Sequence, residues 1–473
     1  MSKNKILQFG EGNFLRGFVD YFLDKLNKNN IWENEVILVQ PIPNGMCDIL
    51  EKQDYKYHLV LRGIKDNEPY EEYNEIDVIK DSVNPYVDFK KYINFAGDRD
   101  IKFIVSNTTE SGIVYEKEDY CDDKVLNSFP AKLTQFLYAR FKKFNGESGS
   151  GFIFLPCELI DDNGYVLKEI ILKHARDWNF EEEFINWIER ENIFTSTLVD
   201  RIVTGYSQEI REEIEKKYNT TDACVDTAEI FNLWVIETNR DLKNIIPLHK
   251  VGNIVWTDNA KPYKKRKVRI LNGGHTSTVL AAIVSGKKIV REFMNDDLFR
   301  KFLSELLKEE VIETIDMDRD ELFDFEKSVE DRFLNPYIDH RLLDISLNSI
   351  SKYKVRCLVS LLDYYKKFNK LPKKLVFSLA ALIRFYKINK VGENFVGIDD
   401  FGNEYTVKDD EILLNKFEKY WSESEISNVV KKVLADSDFW DMDLNEISGL
   451  KEEVLYYLNS IVTNGIVKTM ECL

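Results

Sequence analysis

Three side chains with complementary acid–base chemistry, Lys267, Asn272 and His275, occur within nine residues of the sequence, in the segment KVRILNGGH. On a helix, which advances about 100° per residue, they would point at roughly 0°, 140° and 80°, so all three would share one face. An amine, an amide and an imidazole that converge on one point can move a proton and polarise a reacting oxygen. The spacing therefore predicts a catalytic lysine with two supporting polar groups. A strand over VRIL would remove this geometry, and that alternative stays open.

The same lysine lies in a basic run of an otherwise acidic chain. Six of the ten residues from 261 to 270 are cationic, namely Lys261, Lys264, Lys265, Arg266, Lys267 and Arg269. Neighbouring positive charge lowers the pKa of a lysine toward the range that suits a general base, and it would also attract a carboxylate substrate. The alternative is an ordinary solvated basic helix end beside a packed histidine.

A glycine turn near the start of the chain predicts a second functional site. Ile6 to Phe9 is a short apolar run typical of a strand, Gly10-Glu11-Gly12 follows it, and apolar residues then recur at helical spacing from Phe14 to Leu26. This order is typical of the front of a dinucleotide-binding fingerprint, whose glycines let the backbone approach a pyrophosphate. Leu15 replaces the third glycine, so a plain strand-to-helix turn is an equal alternative.

Two further features bear on the cofactor. The second predicted strand ends Val39-Gln40-Pro41, without the acidic residue that holds the ribose of NAD. Gln40 can still hydrogen-bond a hydroxyl, so NAD is compatible, but discrimination against NADP is not explained. The pair Gly273-Gly274 would cost a helix about 2 kcal/mol relative to alanine, which suggests that a nicotinamide ring or a substrate carbon chain approaches the backbone there.

The elements that must position these residues change in character along the chain. Short apolar runs alternate with helical stretches in the first half, which predicts an open parallel sheet with its ligands at the carboxyl ends of the strands. Further strands are predicted at Val36 to Val39, Phe103 to Val105 and Phe152 to Leu155. From about Lys261 the pattern is helical, and the strand signal is confined to Asn394 to Val407. The predicted helices cover Asp296 to Glu313, Leu342 to Phe368, Lys374 to Lys387, Asp409 to Trp421 and Leu450 to Ile466.

We therefore predict an α/β fold in which a Rossmann-like dinucleotide-binding domain over residues 1–258 is followed by an all-α C-terminal domain over residues 259–473. The second domain would supply the substrate and catalytic groups. Catalysis is expected in the cleft between the two domains.

Composition narrows the class of protein. With 473 residues, 44% of them hydrophobic, the chain can bury sizeable cores. Lys and Arg number 65 against 82 Asp and Glu, and the net charge of −17 disfavours nucleic acid and anionic membranes as partners. The six cysteines show no zinc or disulfide spacing, and no apolar leader begins the chain. We expect a cytoplasmic protein with reduced thiols and a small-molecule substrate, while its oligomeric state stays open.

Six segments, spread over nearly the whole chain, resemble one enzyme family. They are ILQFGEGNFLRGFVD at 6–20, VSNTTESGI at 105–113, PCELIDDNG at 156–164, STLVDRIVTGY at 196–206, KPYKKRKVRILNGGHT at 261–276 and RFLNPYI at 332–338. The chain closely resembles the polyol-specific long-chain dehydrogenases, the mannitol dehydrogenase family, for which the K-x4-N-x2-H spacing is specific. Its FGEGNFLRGF segment resembles the branch that interconverts D-altronate and D-tagaturonate in hexuronate catabolism.

The resemblance implies a metal-independent hydride transfer with NAD(H), in which Lys267 is the general acid/base and Asn272 and His275 polarise the reacting oxygen. It also implies that Asn163 and Asp200 line the substrate site. The residues expected to hold the cofactor are Gly10, Gly12, Asn13, Phe14, Gln40, Ser106, Asn107, Thr108 and Glu110.

Some roles carry over less directly. A substrate-contacting arginine of the mannitol dehydrogenases falls in a stretch where this chain has Lys352, Lys354 and Arg356, and we rank Lys352 first. Lys264 stands where those enzymes have an acidic residue proposed to conduct protons. The route of proton release must therefore differ from that of the mannitol dehydrogenases. The extra cation suits a uronate substrate, because a uronate has a carboxylate and mannitol does not.

Alternatives remain for several features. Asp200-Arg201 can be a simple ion pair, and Asn163-Gly164 a simple turn. The other histidines, His58, His174, His249 and His340, have no convergent partner in the sequence and are interpreted as surface or packed residues. The alternative activities are those of fructuronate reductase or a mannitol or polyol 2-dehydrogenase. In a different class, the chain would be a non-catalytic NAD-binding regulatory protein.

Overall fold

The computed structural model describes residues 4–109, 111–423 and 425–473. The chain divides into two compact units. The first comprises the described residues up to Gly63 together with Tyr70–Ala260, and the second comprises Ile64–Pro69 and Lys261–Leu473.

The first unit is an α/β structure. Its strands, in chain order, are β1 (Asn4–Phe9), β2 (Asn34–Val39), β3 (Tyr57–Lys65), β4 (Glu68–Ile76), β5 (Ile79–Val83), β6 (Ile101–Ser106), β7 (Ile153–Pro156), β8 (Ile193–Phe194), β9 (Ser196–Asp200), β10 (Asp226–Glu229), β11 (Leu233–Glu237) and β12 (Ile254–Thr257). Its helices are α1 (Asn13–Gly17), α2 (Val19–Lys28), α3 (Cys47–Lys52), α4 (Phe89–Asn94), α5 (Phe129–Phe144), α6 (Asn163–Asp177), α7 (Glu182–Glu191) and α8 (Gln208–Tyr218).

Six strands form one parallel sheet in the order β5-β2-β1-β6-β7-β8. All four strands predicted from the sequence, now β1, β2, β6 and β7, belong to it, and the fold class is confirmed. The chain winds outward from β1 to one edge and then returns to β6 on the other side of β1. This reversal places a topological switch point between β1 and β6, where open α/β sheets hold their ligands.

The remaining strands form two smaller sheets, β10-β3-β4 and β12-β11-β9. The apolar stretch from Phe14 to Leu26, predicted as one helix, is divided into α1 and α2. The break lies at Phe18, whose φ of −127° and ψ of −73° are not helical.

The second unit is mainly helical. Its α-helices are α9 (Lys261–Arg266), α10 (Gly273–Val284), α11 (Val290–Met294), α12 (Asp297–Glu305), α13 (Arg319–Phe333), α14 (Leu342–Ile345), α15 (Ser349–Tyr353), α16 (Val359–Phe368), α17 (Lys373–Phe385), α18 (Glu411–Glu423), α19 (Ile426–Ala435), α20 (Ser437–Trp440), α21 (Leu450–Asn464) and α22 (Ile466–Met470). Single π-helical segments occur at Lys267–Asn272, Leu306–Val311 and Lys354–Leu358.

A small antiparallel sheet interrupts the helices, formed by β13 (Ile388–Val391), β14 (Asn394–Ile398) and β15 (Glu404–Val407). It falls where the sequence carried its isolated strand signal. The predicted helix from Leu342 to Phe368 is in fact α14, α15, a π segment and α16, with a break at Asn348, whose φ is +54°.

Helix α10 is the centre of the second unit. Every residue from Thr276 to Val284 is buried, and α17, buried along most of its length, packs against it. A helix that is apolar on all sides must lie inside a core, so its amino-terminal end is held rigidly by its surroundings. Within the described residues, no helix is both long and apolar enough to span a membrane.

Candidate active site

The glycine turn lies at the carboxyl end of β1, at the switch point of the parallel sheet. Gly10 has a φ of +123°, a conformation that favours glycine, and a Cβ there would lie 3.1 Å from the carbonyl oxygen of Asn107. The Asn107 amide in turn donates to the carbonyl of Phe9 (3.1 Å). Around Gly12, by contrast, no described atom lies within 4 Å of a Cβ position. The turn is therefore tight at Gly10 and open at Gly12.

The two residues after the turn are partly used by the protein itself. The Asn13 side-chain oxygen accepts a hydrogen bond from the Arg16 guanidinium at 2.6 Å. The Phe14 ring stacks on Phe18, with 5.1 Å between their centroids. Contacts of Asn13 and Phe14 with a cofactor would thus come from their backbone and from the exposed part of each side chain.

Gln40, at the end of β2, does not present its amide to a ligand. Its side-chain nitrogen donates to the carbonyls of Ile42 (2.9 Å) and Pro43 (3.0 Å), and its oxygen accepts from the Cys47 amide (3.4 Å). The side chain is buried. We therefore correct the expectation that Gln40 binds the ribose, because its donors and acceptor are engaged in shaping the loop after β2.

A buried glutamate that we did not single out from the sequence holds the loop after β6. Glu158 accepts hydrogen bonds from the Ser106 hydroxyl (3.1 Å) and from the amide and hydroxyl of Thr108 (3.0 and 3.1 Å). Burial raises the pKa of Glu158, and these donors oppose that rise. The conformation of the predicted cofactor loop is thus set from the end of β7. Glu110, the last residue predicted for that loop, lies outside the described residues.

The two residues expected to line the substrate site differ in their surroundings. The Asn163 amide is fully buried and donates to the carbonyls of Pro156, Glu158 and Thr197, while its oxygen accepts from the Thr197 amide. These contacts describe a residue that fixes the loop after β7. Asp200 is the last residue of β9 and is buried.

The segment from Lys267 to His275 in the second unit is helical, which excludes the alternative of a strand over VRIL. It is, however, a π turn from Lys267 to Asn272 that continues into α10. Backbone hydrogen bonds in a π turn join residues five apart, so Lys267 and Asn272 lie about one turn apart and are closer in direction than the roughly 140° of an α-helix. His275, three residues after Asn272, is its neighbour on the helix surface. The π turn thus aligns the three groups better than the predicted α-helix would.

The imidazole of His275 is held by two rings. It stacks on Phe333, with 3.9 Å between centroids and 12° between planes, and it meets the His340 ring edge-on at 5.3 Å. Its Nε2 atom is buried and has no hydrogen-bond partner within the described part of the chain. A buried polar atom without a partner is costly, so this nitrogen is suited to a ligand.

Positive charge surrounds the same histidine. Burial holds the pKa of His275 well below its usual range, and the neighbouring groups that add to this effect are His340, Arg332, Arg356 and Lys352. His275 is therefore a neutral hydrogen-bonding group. Arg332 and Phe333 begin the RFLNPYI segment, to which we assigned no role from the sequence.

Lys352, Lys354 and Arg356 were the three candidates for contact with the substrate. In the structure, Lys354 has different surroundings from the other two. The Lys354 ammonium binds Asp441 at 3.0 Å. The Arg356 guanidinium donates to the hydroxyl of Thr276 on α10 (3.3 Å), and the Lys352 ammonium donates to the carbonyl of Ile345 (3.0 Å). Burial and mutual repulsion lower the pKa of Lys352. Lys352 and Arg356 thus belong to the surroundings of His275, whereas Lys354 is paired on the surface.

Three cations of the basic run around Lys267 lie beside acidic side chains. Arg269 binds Asp363 at 2.7 Å, Lys265 approaches the same carboxylate at 3.9 Å, and Arg266 lies 3.9 Å from Glu321. The expectation that this run gathers a carboxylate substrate is therefore better met by the cations around His275.

The two glycines of α10 lie beside residues of other helices in the same unit. A Cβ on Gly273 would lie 3.4 Å from the carbonyl oxygen of Arg356, and one on Gly274 would lie 3.4 Å from a methyl group of Leu303. We expected a ligand to approach the backbone here. Helices of the same unit line this backbone instead, at distances where a Cβ would make ordinary contact.

Comparison with known proteins places both units in one family. Residues 4–250 match the mannitol dehydrogenase Rossmann domain, and residues 259–462 match the mannitol dehydrogenase C-terminal domain. The chain belongs to the mannitol dehydrogenase family. Among similar members of the family, the altronate oxidoreductase of Pectobacterium atrosepticum is 40% identical over 99% of this chain and 96% of its own length. That of Escherichia coli is 40% identical over 98% of this chain and 95% of its own length.

Two solved structures of polyol dehydrogenases share the fold. The Pseudomonas fluorescens mannitol 2-dehydrogenase, in a ternary complex with NAD and D-mannitol, is 21% identical, with a TM-score of 0.65, and the match covers 100% of this chain and 94% of that one. A D-sorbitol dehydrogenase in substrate-free form is 19% identical, with a TM-score of 0.80, over 99% and 95% of the two chains. The mannitol dehydrogenase architecture thus extends over the whole chain.

Proposed function

We propose that this chain is an NAD-dependent oxidoreductase that interconverts D-altronate and D-tagaturonate. The observation that carries the proposal is the buried, unpartnered Nε2 of His275, which shares a helix face with Asn272 and Lys267 and is surrounded by cationic groups. The altronate oxidoreductase name of the relatives that are 40% identical over nearly their full length supports the same choice of substrate.

The residues of the first unit fit a dinucleotide. The positive φ of Gly10 turns the chain away from the end of β1, and the open space at Gly12 leaves room for a pyrophosphate beside the backbone. Asn13, Phe14, Ser106, Asn107 and Thr108 complete the proposed cofactor site. A nicotinamide held there would supply the hydride acceptor for altronate oxidation and the hydride donor for tagaturonate reduction.

In this proposal Lys267 exchanges the proton. Its amine accepts the hydroxyl proton when altronate is oxidised and returns it to the oxygen when tagaturonate is reduced. Asn272 and the neutral His275 donate hydrogen bonds to that oxygen and stabilise the negative charge that develops on it. Because His275 has a lowered pKa, it remains a hydrogen-bond donor and leaves acid/base work to the lysine.

The cations around His275 explain a preference for a uronate. Arg356 and Lys352 would bind the carboxylate that tagaturonate has and fructose lacks, because a guanidinium and an ammonium both form charge-assisted hydrogen bonds with carboxylates. Asp200 is proposed to line the same site, and Asn163 to position the loop beside it.

The domain roles and the location belong to the same proposal. Residues 1–258 would bind the cofactor, and residues 259–473 would supply catalysis. All six cysteines are free, which suits the reducing conditions of the cytoplasm.

The test is NADH oxidation by the purified protein with D-tagaturonate, D-fructuronate and D-fructose in parallel, repeated with NADPH. We expect turnover with tagaturonate and NADH. Preference for fructuronate or fructose would assign one of the sister activities of the family. Absence of turnover with all three, together with retained NADH binding, would support the non-catalytic alternative.

A further inference from the structure

The end of β2 lacks a group that could select the cofactor. Rossmann-like domains that use NAD place an acidic side chain there to bind the ribose hydroxyls, and those that use NADP often place an arginine nearby. Here the position is held by Gln40, whose amide is engaged by Ile42, Pro43 and Cys47. The segment QPIPNGMC at 40–47 contains no acid, lysine or arginine.

A carboxylate reaches the same loop from the glycine turn. The Glu11 side chain is 5% exposed, and its Oε1 atom accepts a hydrogen bond from the Met46 amide at 3.1 Å. A Cβ on Gly45 would lie 2.0 Å from Oε1 and 2.6 Å from the side chain of Gln40. Glycine is therefore required at 45 for this carboxylate to lie against the loop. Glu11 thus brings a carboxylate to the loop that follows β2.

The second oxygen of that carboxylate is not satisfied by the protein. Glu11 Oε2 is buried and has no hydrogen-bond partner within the described residues. The next residue in the chain is Gly12, whose Cβ side is open. A buried carboxylate oxygen without a donor is destabilising, so its retention points to a donor supplied by a ligand.

Resting on the NAD(H) assignment above, we propose that Glu11 accepts hydrogen bonds from the hydroxyls of the adenosine ribose and excludes the 2′-phosphate of NADP(H). The side chains of the two nearby cations already donate hydrogen bonds to other groups of the protein. The Arg16 guanidinium donates to the carbonyls of Glu11 and Cys224 and to Asn13. Lys132, beneath the loop, donates to Pro41, Asn127 and Tyr86. A 2′-phosphate would lie beside a buried carboxylate of like charge, and both nearby cations already bind other groups of the protein.

The test measures binding, without substrate or turnover. Binary dissociation constants are determined by fluorescence titration for NADH, NADPH and the 2′-deoxy-adenosine analogue of NADH, with wild type and Glu11→Gln. The glutamine retains an oxygen for the Met46 amide but has no charge. We expect the variant to bind NADH about 10-fold to 100-fold more weakly, as for a lost hydrogen bond to a charged group, while NADPH binding stays equal or improves.

The analogue separates direct contact from a structural effect. We expect wild type to bind the 2′-deoxy analogue more weakly than NADH, and Glu11→Gln to bind the two nearly equally. The effects of removing the hydroxyl and of removing the carboxylate should therefore not add. Glu51→Gln, which removes an equal charge from an exposed position on α3, should bind all three ligands as wild type does.

Two results would overturn the inference. Equal ratios of NADH to NADPH affinity in wild type and Glu11→Gln would show that Glu11 does not select the cofactor. Equal sensitivity of both proteins to the 2′-deoxy analogue would show that it does not contact the ribose. If wild type bound no NADH, the proposed function itself would fail, and that outcome is distinct from both.

Discussion

The Lys267 side chain is the group whose removal should separate chemistry from cofactor binding. For Lys267→Ala we expect turnover of tagaturonate to fall about 100-fold to 10,000-fold, because a positioned acid/base contributes on that order. NADH affinity, measured by fluorescence titration, should be unchanged. Lys301→Ala is the matched control, since this α12 side chain is 71% exposed and pairs only with Glu305 among the ion pairs of the described residues. Undiminished turnover in Lys267→Ala would contradict the assigned mechanism.

A comparison of variants at Arg356 and Lys354 tests how the substrate carboxylate is recognised. Arg356→Ala should raise the KM for tagaturonate about 10-fold to 100-fold, since it removes a charge-assisted hydrogen bond. Lys354→Ala should have little effect, because that ammonium is paired with Asp441. Steady-state kinetics with tagaturonate and fructose provide the measurement. A KM for tagaturonate that is equal in both variants would remove Arg356 from the substrate site.

At the scale of elements, the carboxyl end of β7 controls the loop that follows β6. Glu158→Gln keeps the size of the side chain but replaces one of its acceptor oxygens with a donor, so at least one bond to Ser106 or Thr108 is lost. We expect NADH affinity to fall about 10-fold and the free energy of unfolding to fall by about 1–3 kcal/mol. Titration and urea denaturation measure the two quantities. Wild-type affinity together with reduced stability would show that the loop does not bind the cofactor.

The π turn that contains Lys267 is also set by the packing of elements. The π turn at Lys267–Asn272 packs beside the π segments at Leu306–Val311 and Lys354–Leu358 in the second unit. Gly273 lies beside the carbonyl of Arg356 and Gly274 beside Leu303, at distances that a Cβ would tolerate, so this packing does not require glycine. Such single π turns are often found at functional sites.

At the scale of the whole molecule, stability should depend on pH near neutrality. Burial raises the pKa of Asp20 and of Asp226 from 3.8 to about 7. The folded state therefore holds these protons more tightly than the unfolded chain does. Their contribution to stability is full below the unfolded pKa and is lost as pH rises through about 7.

Urea denaturation at about pH 6 and about pH 8 measures this effect. We expect wild type to lose about 1.4 kcal/mol in total for each group between these two pH values, and Asp20→Asn to lose less. Asp48→Asn, at an exposed position on α3, is the control and should match wild type. Equal pH dependence in wild type and Asp20→Asn would contradict the assignment of the proton to Asp20.

The amino-acid sequence by itself determined the fold class, four strands of the parallel sheet and the glycine turn. It did so because apolar periodicity and glycine act locally, within a few residues. The sequence also determined the family, through segments that extend from 6 to 338. The set Lys267, Asn272 and His275 stays a prediction, and the regular α-helix expected for it is in fact a π turn that leads into α10.

Only the tertiary structure decided which side chains are already engaged and which are open to a ligand. Gln40 and Asn163 looked available in sequence, but their amides are engaged by backbone groups, those of the following loop for Gln40 and those including Thr197, 34 residues away, for Asn163. The sequence assigned no role to Glu11, Glu158 or Arg332. Their roles follow from the residues that folding brings into contact with them. Hydrogen bonding and burial depend on contacts between residues far apart in sequence, and periodicity does not encode those contacts.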